Sequence, residues 1–421
     1  MSLRFCMVTT FYPPHNFGGD GMGIQRLSEA LARRGHEVTV IHDTNAYNML
    51  SHGGPPEAGP TPPNMTIHRL HNRLGKWSNL LTHQLGRPVV NGARIRAIVE
   101  EGHFDVINFH NISLVGGPGV LRIGDAVKLY MAHEHWLVCP THVLWRHGVE
   151  RCDKRECLKC VLSYRRPPQL WRSTGMLERE LHHVDAFIAM SEFSRKKHAE
   201  FGFPREMEVV PYFLPDLSVS EGGSAVSDDA SPHPRPYFLF VGRLERIKGL
   251  DDVIPLFRNE KRADLLIAGD GEYAGTLREL ARGIDNVHFL GRVKPDDLGR
   301  YYRHARALIV PSVCYETFGI ILIESFRQGT PVIARRLGPF PEIVERAGAG
   351  DLFETEDELR MAMNAFLGDD ARRSRLGEAG RRAFQQHWSE TAVVPQYLEV
   401  VRRAAEARGA TSLLDRLEGA H

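Results

Sequence analysis

The fold is decided by the stretch Ala307-Leu-Ile-Val-Pro-Ser-Val-Cys-Tyr-Glu-Thr-Phe-Gly-Ile-Ile-Leu-Ile-Glu324. It begins with an apolar run of strand length, passes through a polar loop and continues as an apolar run of helical length to about Gln328. A strand followed by a helix is the repeating unit of α/β proteins. Because the first N–H groups of a helix bind anions, this pattern predicts a ligand site just before Ile320.

The same strand–helix rhythm occurs on both sides of a polar break rich in Ser, Gly, Asp and Pro. Predicted strands before the break are Phe5–Val8, 38–41, 105–109, 127–131, 186–189 and 207–210; those after it are Tyr237–Val241, Asp264–Ala268, 287–290, 307–310 and 331–334. Alternation of this kind predicts two doubly wound, Rossmann-like α/β domains with parallel sheets that face a central cleft. We expect domains over 1–216 and 237–388, a linker over 217–236 and a helical tail over 389–421.

Length and composition exclude several classes of protein. The chain has 421 residues, more than the roughly 250–300 that one core supports, and its formal net charge of +1 argues against nucleic-acid binding. It has no apolar run of the roughly 18–20 residues that a membrane span needs, and its amino terminus lacks a signal-peptide pattern. We therefore expect a cytoplasmic protein. Peripheral membrane contact through basic stretches such as Arg165-Arg166 stays open.

Charged residues are placed to bind a diphosphate. Arg243 and Lys248 follow the strand Tyr237–Val241, where a guanidinium fork and an ammonium can share phosphate oxygens. Glu316 lies just before the predicted helix, and Glu324 is a polar residue within its apolar run, so its carboxylate needs a partner. Arg, Lys and Glu residues in a protein are more often ordinary surface charges than ligand-binding groups. The apolar run around Glu324 favours a binding role for the glutamates, whereas Arg243 and Lys248 taken alone are interpreted as surface charges.

The order of the motifs resembles the retaining, nucleotide-sugar-dependent glycosyltransferases of family 4, which have the GT-B fold. The matching segments are Glu316-x7-Glu324 after Pro311-Ser312, Gly329-Thr-Pro-Val-Ile333, Gly338-Pro-Phe-Pro-Glu342, Val241-Gly-Arg-Leu-Glu-Arg-Ile-Lys-Gly249, Ile267-Ala-Gly-Asp-Gly271, Phe289-Leu-Gly-Arg-Val293, Phe11-Tyr-Pro-Pro14 with Gly18-Gly19, and Gly35-His-Glu-Val-Thr-Val40. Two segments depart from the pattern. Val210-Pro-Tyr-Phe-Leu214 stands where members often have Val-Pro-Asn-Gly, and Gly19-Asp-Gly-Met-Gly23 is interpreted as a tight turn before a helix over 24–34.

The resemblance implies a role for each candidate residue. The implied donor-binding residues are Gly19, Arg243, Lys248, Arg292, Val293, Phe318, Gly319, Ile320 and Glu324, with Glu324 on the ribose and Arg292 and Val293 beside the base. His133 and Glu316 are the implied catalytic residues, and both would contact the transferred sugar. The implied reaction takes a sugar from a nucleotide diphosphate donor, with a UDP-sugar as the expected donor, to an acceptor hydroxyl on a glycan, a lipid-linked molecule or a small molecule. It needs no catalytic metal and passes through an oxocarbenium-like state. A GT-B-fold epimerase or phosphorylase, or a silent sugar-nucleotide-binding protein, is the alternative.

Four cysteines form a second candidate site. Cys139, Cys152, Cys157 and Cys160 occur in a short, charged, irregular stretch, and four thiolates suit tetrahedral zinc. A structural zinc ion, free thiols or disulfides, and an iron–sulfur cluster all remain open, and His135, His142 or His147 could replace one sulfur. We expect this inserted segment, 139–160, to shape the acceptor side of the first domain because it follows His133.

Overall fold

The computed structural model describes residues 2–51, 53–57, 59–216 and 230–418. The chain divides into two compact units: the first runs to Tyr212 and resumes at Val393, and the second is Phe213–Ala392. Most of the predicted linker, 217–229 of 217–236, lies outside the described residues.

The first unit is built on a seven-stranded parallel sheet with the order β3-β2-β1-β4-β5-β8-β9. Its strands are β1 Arg4–Val8, β2 Glu37–Asp43, β3 Met65–Leu70, β4 Val106–Phe109, β5 Val127–Ala132, β8 Ala186–Ala189 and β9 Glu208–Val209; β6 Trp145–Arg146 and β7 Glu150–Arg151 form a separate antiparallel hairpin. Strands β1, β4 and β5 are buried along almost their whole length. This explains why they are continuous apolar runs rather than alternating ones.

Helices connect these strands in the usual crossover manner. They are α1 Gly19–Arg33, α2 Thr44–Leu50, α3 Lys76–Leu85, α4 Gly92–Gly102, α5 Cys157–Ser163, α6 Met176–Leu181 and α7 Glu192–Glu200. The prediction that α1 begins only after Gly23 is wrong, because the helix begins at Gly19. A β-carbon at Gly21 would lie 2.4 Å from Asn16 Oδ1, and one at Gly23 would lie 2.2 Å from Tyr212 Cε1. These glycines therefore permit close packing of a helix and do not form a turn.

The second unit has a six-stranded parallel sheet with the order β12-β11-β10-β13-β14-β15. Its strands are β10 Tyr237–Val241, β11 Asp264–Ala268, β12 Val287–Gly291, β13 Leu308–Val310, β14 Val332–Arg335 and β15 Gly350–Phe353; its helices are α8 Ala274–Leu280, α9 Pro295–His304, α10 Ile320–Gln328, α11 Phe340–Ala347, α12 Glu356–Gly368 and α13 Asp370–His387. The two sheets confirm the predicted pair of doubly wound, Rossmann-like domains. None of the described helices is both long and apolar enough to cross a bilayer.

The C-terminal segment packs on the first unit through α14 Glu390–Arg408 and α15 Thr411–Glu418. Asn108 in β4 donates a hydrogen bond to the Tyr397 hydroxyl at 3.1 Å. Arg416 donates to the carboxylate of Asp105 at 2.9 Å. The first unit therefore consists of two segments that are distant in sequence.

Several histidines are buried in the first unit and are held neutral. Burial lowers the pKa of His42 and of His133 to about 3, and that of His198 to about 4. In the unfolded chain a histidine has a pKa near 6.5. Below that pH the unfolded chain binds protons that the folded chain does not, so acidification favours unfolding.

We predict that the first unit loses stability as the pH falls from 7 to 5.5. Each buried histidine contributes a slope of up to about 1.4 kcal/mol per pH unit once the pH is below its unfolded pKa. Urea unfolding followed by tryptophan fluorescence measures this, because Trp77, Trp136, Trp145 and Trp171 lie in the first unit and only Trp388 in the second. The variant His198→Gln should have a shallower slope. A midpoint that does not change over this pH range would contradict the interpretation.

Candidate donor-binding site and its partners

The candidate site of the second unit lies where the order of its sheet reverses. The chain moves from β10 outward to β11 and β12, then returns to β13 on the other side of β10. Ligands of doubly wound sheets bind at the carboxyl ends of the two strands that flank this point. The loop after β10 supplies Arg243 and Lys248, and the loop after β13 supplies Ser312 and Glu316.

A buried ion pair joins these two loops. Lys248 Nζ lies 2.6 Å from Glu316 Oε1, with side-chain exposures of 22% and 24%. The hydroxyl of Ser312 donates to the same oxygen at 3.1 Å. Burial alone would raise the pKa of Glu316, but the Lys248 ammonium outweighs it and lowers that pKa. Burial likewise opposes the charge on Lys248, and the Glu316 carboxylate raises the pKa of Lys248 overall. Both groups are charged at neutral pH.

Gly249 brings the two loops into contact. Its φ is +73°, and a β-carbon there would lie 2.1 Å from the carbonyl oxygen of Pro311. The N–H of Val313 donates to the carbonyl of Ile247 at 2.9 Å, which ties the loops together at the backbone. Only glycine satisfies both the left-handed conformation and the close approach.

Arg243 lies nearby but is not part of the buried pair. Its side chain is 57% exposed, and Nη1 lies 3.2 Å from Glu245 Oε1. Its charge also lowers the pKa of Glu316, by less than Lys248 and Ser312 do. The structure therefore places both predicted cations within electrostatic reach of Glu316, one half-buried and one exposed.

The start of α10 forms the next part of the site. Gly319 precedes the helix with φ +127°, and no side chain caps the helix start. A β-carbon at Gly319 would lie 2.9 Å from the Phe340 ring. Phe318 is buried, and Ile320 is half-buried. The sequence places glycine where the backbone can approach a ligand closely and where the helix dipole favours an anion.

Glu324 lies one turn further along α10. Its Oε2 accepts a hydrogen bond from the buried hydroxyl of Tyr302 at 2.9 Å. Tyr302 belongs to α9, so the carboxylate is held by a neighbouring helix. Arg292 and Val293 follow β12 at the carboxyl edge of the sheet, where Arg292 is exposed and Val293 half-buried.

In the first unit, His133 directly follows β5 and is 7% exposed. Its Nδ1 lies 2.5 Å from the hydroxyl of Tyr212, and its Nε2 lies 2.8 Å from Nδ1 of His110. Since burial lowers the pKa of His133 to about 3, the imidazole is neutral and serves as a hydrogen-bonding group rather than an acid. Gly19 is the first residue of α1, at the carboxyl end of β1.

The four cysteines are free thiols around the β6–β7 hairpin and α5. Cys139 and Cys160 are buried, Cys152 is half-buried and Cys157 is exposed. Their sulfur atoms, all within the part of the chain that the structure describes, do not form a compact metal-ligand group. Among the described residues, the group of three potential ligand atoms that lie within 4.8 Å of one another consists of His233, Asp264 and His288.

Sequence reasoning missed four residues of these sites: His110, Tyr212, Ser312 and Tyr302. His110 had a signal, because it follows β4 as His133 follows the adjacent β5. Ser312 belongs to the Pro311-Ser312 motif, but its hydrogen bond to Glu316 has no sequence signature. Tyr212 is 79 residues from His133 and Tyr302 is 22 residues from Glu324, so only the fold brings these hydroxyls to their partners.

Family models match both units. The model described as Glycosyltransferase Family 4 matches residues 17–214, and the model described as Glycosyl transferases group 1 matches residues 226–383. The chain is similar to the D-inositol 3-phosphate glycosyltransferase of Xylanimonas cellulosilytica, with 27% identity over 93% of each chain. It is also similar to the N-acetyl-alpha-D-glucosaminyl L-malate synthase of Bacillus anthracis, with 28% identity over 92% of this chain and 94% of the relative.

Solved structures share the fold. Sucrose-phosphate synthase from Thermosynechococcus elongatus superposes with a TM-score of 0.73 at 20% identity, covering 96% of this chain and 100% of that one. Anabaena HepE in complex with UDP and glucose gives a TM-score of 0.65 at 16% identity, covering 95% and 99%. With the two parallel sheets, these similarities show the GT-B fold. Neither the family models nor these relatives support the epimerase alternative.

We predict that Gly249→Ala is far more destabilising than Gly348→Ala. Both glycines have left-handed backbones, with φ of +73° and +56°, but a β-carbon at Gly348 meets nothing within 4 Å. Gly348→Ala should cost only the conformational strain of about 1–2 kcal/mol. Gly249→Ala adds a collision with Pro311, so the total should reach about 3 kcal/mol or more. Chemical unfolding measures both changes, and equal losses would show that the two loops can separate without cost.

Proposed function

The chain belongs to glycosyltransferase family 4, and we propose that it moves a sugar from a UDP-linked donor to an acceptor hydroxyl with retention of anomeric configuration. It is an enzyme of the hexosyltransferase type. The proposal concerns its donor, its acceptor and its stereochemistry. The acceptor is a hydroxyl group on a glycan, a lipid-linked molecule or a small molecule.

The observation that carries the proposal is the charged pair of Lys248 and Glu316 beside the start of α10. Lys248 and the accessible Arg243 supply two cations at a sheet edge where ligands bind, and the helix start adds a positive dipole end. This set complements a diphosphate. In the reaction the same cations would stabilise the charge that develops on the departing nucleoside diphosphate.

The remaining donor contacts are assigned from the family resemblance. We assign Glu324, which accepts a hydrogen bond from Tyr302, to the ribose hydroxyls, and Arg292 and Val293 to the base. Glu316 accepts from Lys248 and Ser312 through Oε1, so Oε2 is the atom we assign to hydroxyls of the donor sugar. The presence of UDP and glucose in the Anabaena structure supports UDP as the nucleotide.

The first unit would supply the acceptor side. We assign to His133 a neutral contact with the transferred sugar, oriented by His110 and Tyr212. We assign to Gly19, the first residue of α1, a backbone contact with the donor. Two relatives are named for small polar acceptors, inositol 3-phosphate and malate, which supports a small hydroxylated acceptor as the first class to test.

A thermal-shift panel of nucleoside diphosphates and their sugars tests the donor. UDP and a UDP-sugar should raise the melting temperature, because a ligand that binds only the folded protein stabilises it. Lys248→Met should weaken UDP binding about 10- to 100-fold, the loss expected for a charged hydrogen bond. Glu345→Gln, which removes an exposed carboxylate paired with Arg336, is the matched control and should bind UDP normally.

If another nucleotide in that panel binds better, the assignment of UDP is wrong but the assignment of the phosphate site is not affected. Equal binding by Lys248→Met and by the unaltered protein would overturn the assignment of the phosphate site. A pH profile adds an independent check: between pH 6 and 8 the binding of a UDP-sugar, which has no terminal phosphate that titrates there, should stay flat, because Glu316 is already ionised and Lys248 still protonated.

Product analysis tests the reaction. With the preferred UDP-sugar and a panel of hydroxylated acceptors, nuclear magnetic resonance of the glycoside should show the anomeric configuration of the donor. Glu316→Gln should lower the rate of UDP release while the protein remains folded. Inversion of configuration would reject the retaining mechanism, and a reaction that requires inorganic phosphate would indicate a phosphorylase.

A further inference from the structure

We propose that Cys139, Cys152, Cys157 and Cys160 bind one structural Zn²⁺ ion and that this ion fixes the loop carrying His133. Four thiols would lose their protons to solvent on binding, and the resulting tetrathiolate centre would carry two excess negative charges. The metal site itself does not depend on the proposed function. Only its consequence for activity does.

The segment around the cysteines has little regular secondary structure to stabilise its conformation. Its hairpin consists of the two-residue strands β6 and β7, and α5 is seven residues long. Val149, Leu158 and Leu162 are 55%, 60% and 56% exposed, so they add little to a core. Elements this short need more than burial to stay ordered.

The backbone here is also strained. Five described residues other than glycine have positive φ, and four of them flank the cysteines: His142, Leu144, His147 and Arg165, at +78°, +47°, +55° and +54°. Such conformations cost of the order of 1–2 kcal/mol each and persist where the surroundings enforce them. A metal bound by four residues of this segment would enforce them.

The sulfur atoms lie in one neighbourhood. Cys139, Cys157 and Cys160 all lie close enough to Cys152 to interact with it electrostatically. The N–H of His147 donates to Cys160 Sγ at 3.3 Å, a contact that favours a thiolate. Among the described residues no three of these sulfurs lie within 4.8 Å of one another, and tetrahedral zinc needs a spacing of about 3.8 Å, so the sulfurs would have to move closer together to bind an ion.

Arg172 is the independent observation. Its guanidinium lies 4.9 Å from the ring centroids of both Trp136 and Trp171. It donates to two neutral acceptors, Gln169 Oε1 at 2.6 Å and the Trp136 carbonyl at 2.8 Å. Across the described chain no carboxylate lies within 4 Å of it, and Cys139 is the group whose charge most opposes the effect of burial. Arg172 is half-buried, and a tetrathiolate centre would add a nearby negative charge that its two neutral acceptors do not supply.

The nearby histidines have other partners. His142 Nδ1 lies 2.8 Å from Glu134 Oε2, and His147 Nε2 lies 3.0 Å from Glu156 Oε2. These contacts favour the four sulfurs as the donor set. Four sulfurs suit zinc and an iron–sulfur cluster alike, and we choose zinc because it needs neither inorganic sulfide nor a redox partner.

Backbone hydrogen bonds connect the cysteine segment to the loop after β5. The N–H of Cys139 donates to the carbonyl of His135 at 2.7 Å, and the N–H of His135 donates to the carbonyl of His142 at 3.0 Å. His133 lies two residues before this junction. An ion that fixes Cys139 therefore also fixes the chain that presents His133.

Elemental analysis of the purified full-length chain tests the metal site without any substrate. We expect one zinc ion per chain. Cobalt(II) in its place should give the intense visible absorption of tetrahedral thiolate coordination. Cys157→Ser should lose the metal and lower the melting temperature, whereas in a metal-free protein the change at this exposed position should have little effect. Cys6→Ala, which alters a buried thiol in β1 remote from the cluster in sequence, should keep one zinc per chain.

Three other outcomes overturn the metal site. A purified chain that contains no metal, takes up no added zinc and has four freely alkylated thiols would show unused cysteines, and a mass lower by two or four hydrogens would show disulfides. Iron with acid-labile sulfide would show a cluster. If zinc is found but Cys157→Ser retains the activity of the unaltered enzyme, the site is real and its link to His133 is wrong.

Discussion

The ion pair of Lys248 and Glu316 is the constraint on which the second unit depends. A half-buried carboxylate and ammonium are stable only when they face each other, so the loops after β10 and β13 must stay in contact. Gly249 permits that contact, and Arg335 reinforces it by donating from Nε to the Pro311 carbonyl at 3.0 Å. The pair also holds a cation ready at the place where the sheet order reverses, before any ligand arrives.

Much of this arrangement could be predicted because it depends on local patterns. Buried parallel strands are continuous apolar runs, and the residues that follow them lie at one edge of a sheet, so the location of Arg243, Lys248 and Glu316 was predictable from position, whereas their roles were inferred from the family resemblance. The start of α1 was not predictable in this way. Gly21 and Gly23 resemble turn residues until the contacts with Asn16 and Tyr212 are known, and those contacts are tertiary. The partners of the candidate side chains, Tyr302 and Tyr212, were missed for the same reason.

The two units use buried polar groups differently. In the second unit charge is balanced by charge, and burial is offset by the partner's field. In the first unit burial instead removes the charge, which leaves His110 and His133 as neutral rings linked to each other and to Tyr212. A neutral network keeps one hydrogen-bonding pattern across physiological pH, which suits a group that positions a substrate.

The return of the C-terminal helices to the first unit affects how this protein can be divided or recombined. Asn108 bonds to Tyr397 across 289 residues, and Asp105 pairs with Arg416 across 311. A single cut in the linker therefore does not yield two intact halves, because the first half would lose the helices that cover β1 and β4. Exchange of donor specificity between related enzymes, in evolution or by gene fusion, needs two crossover points that excise the middle of the chain and leave both ends together.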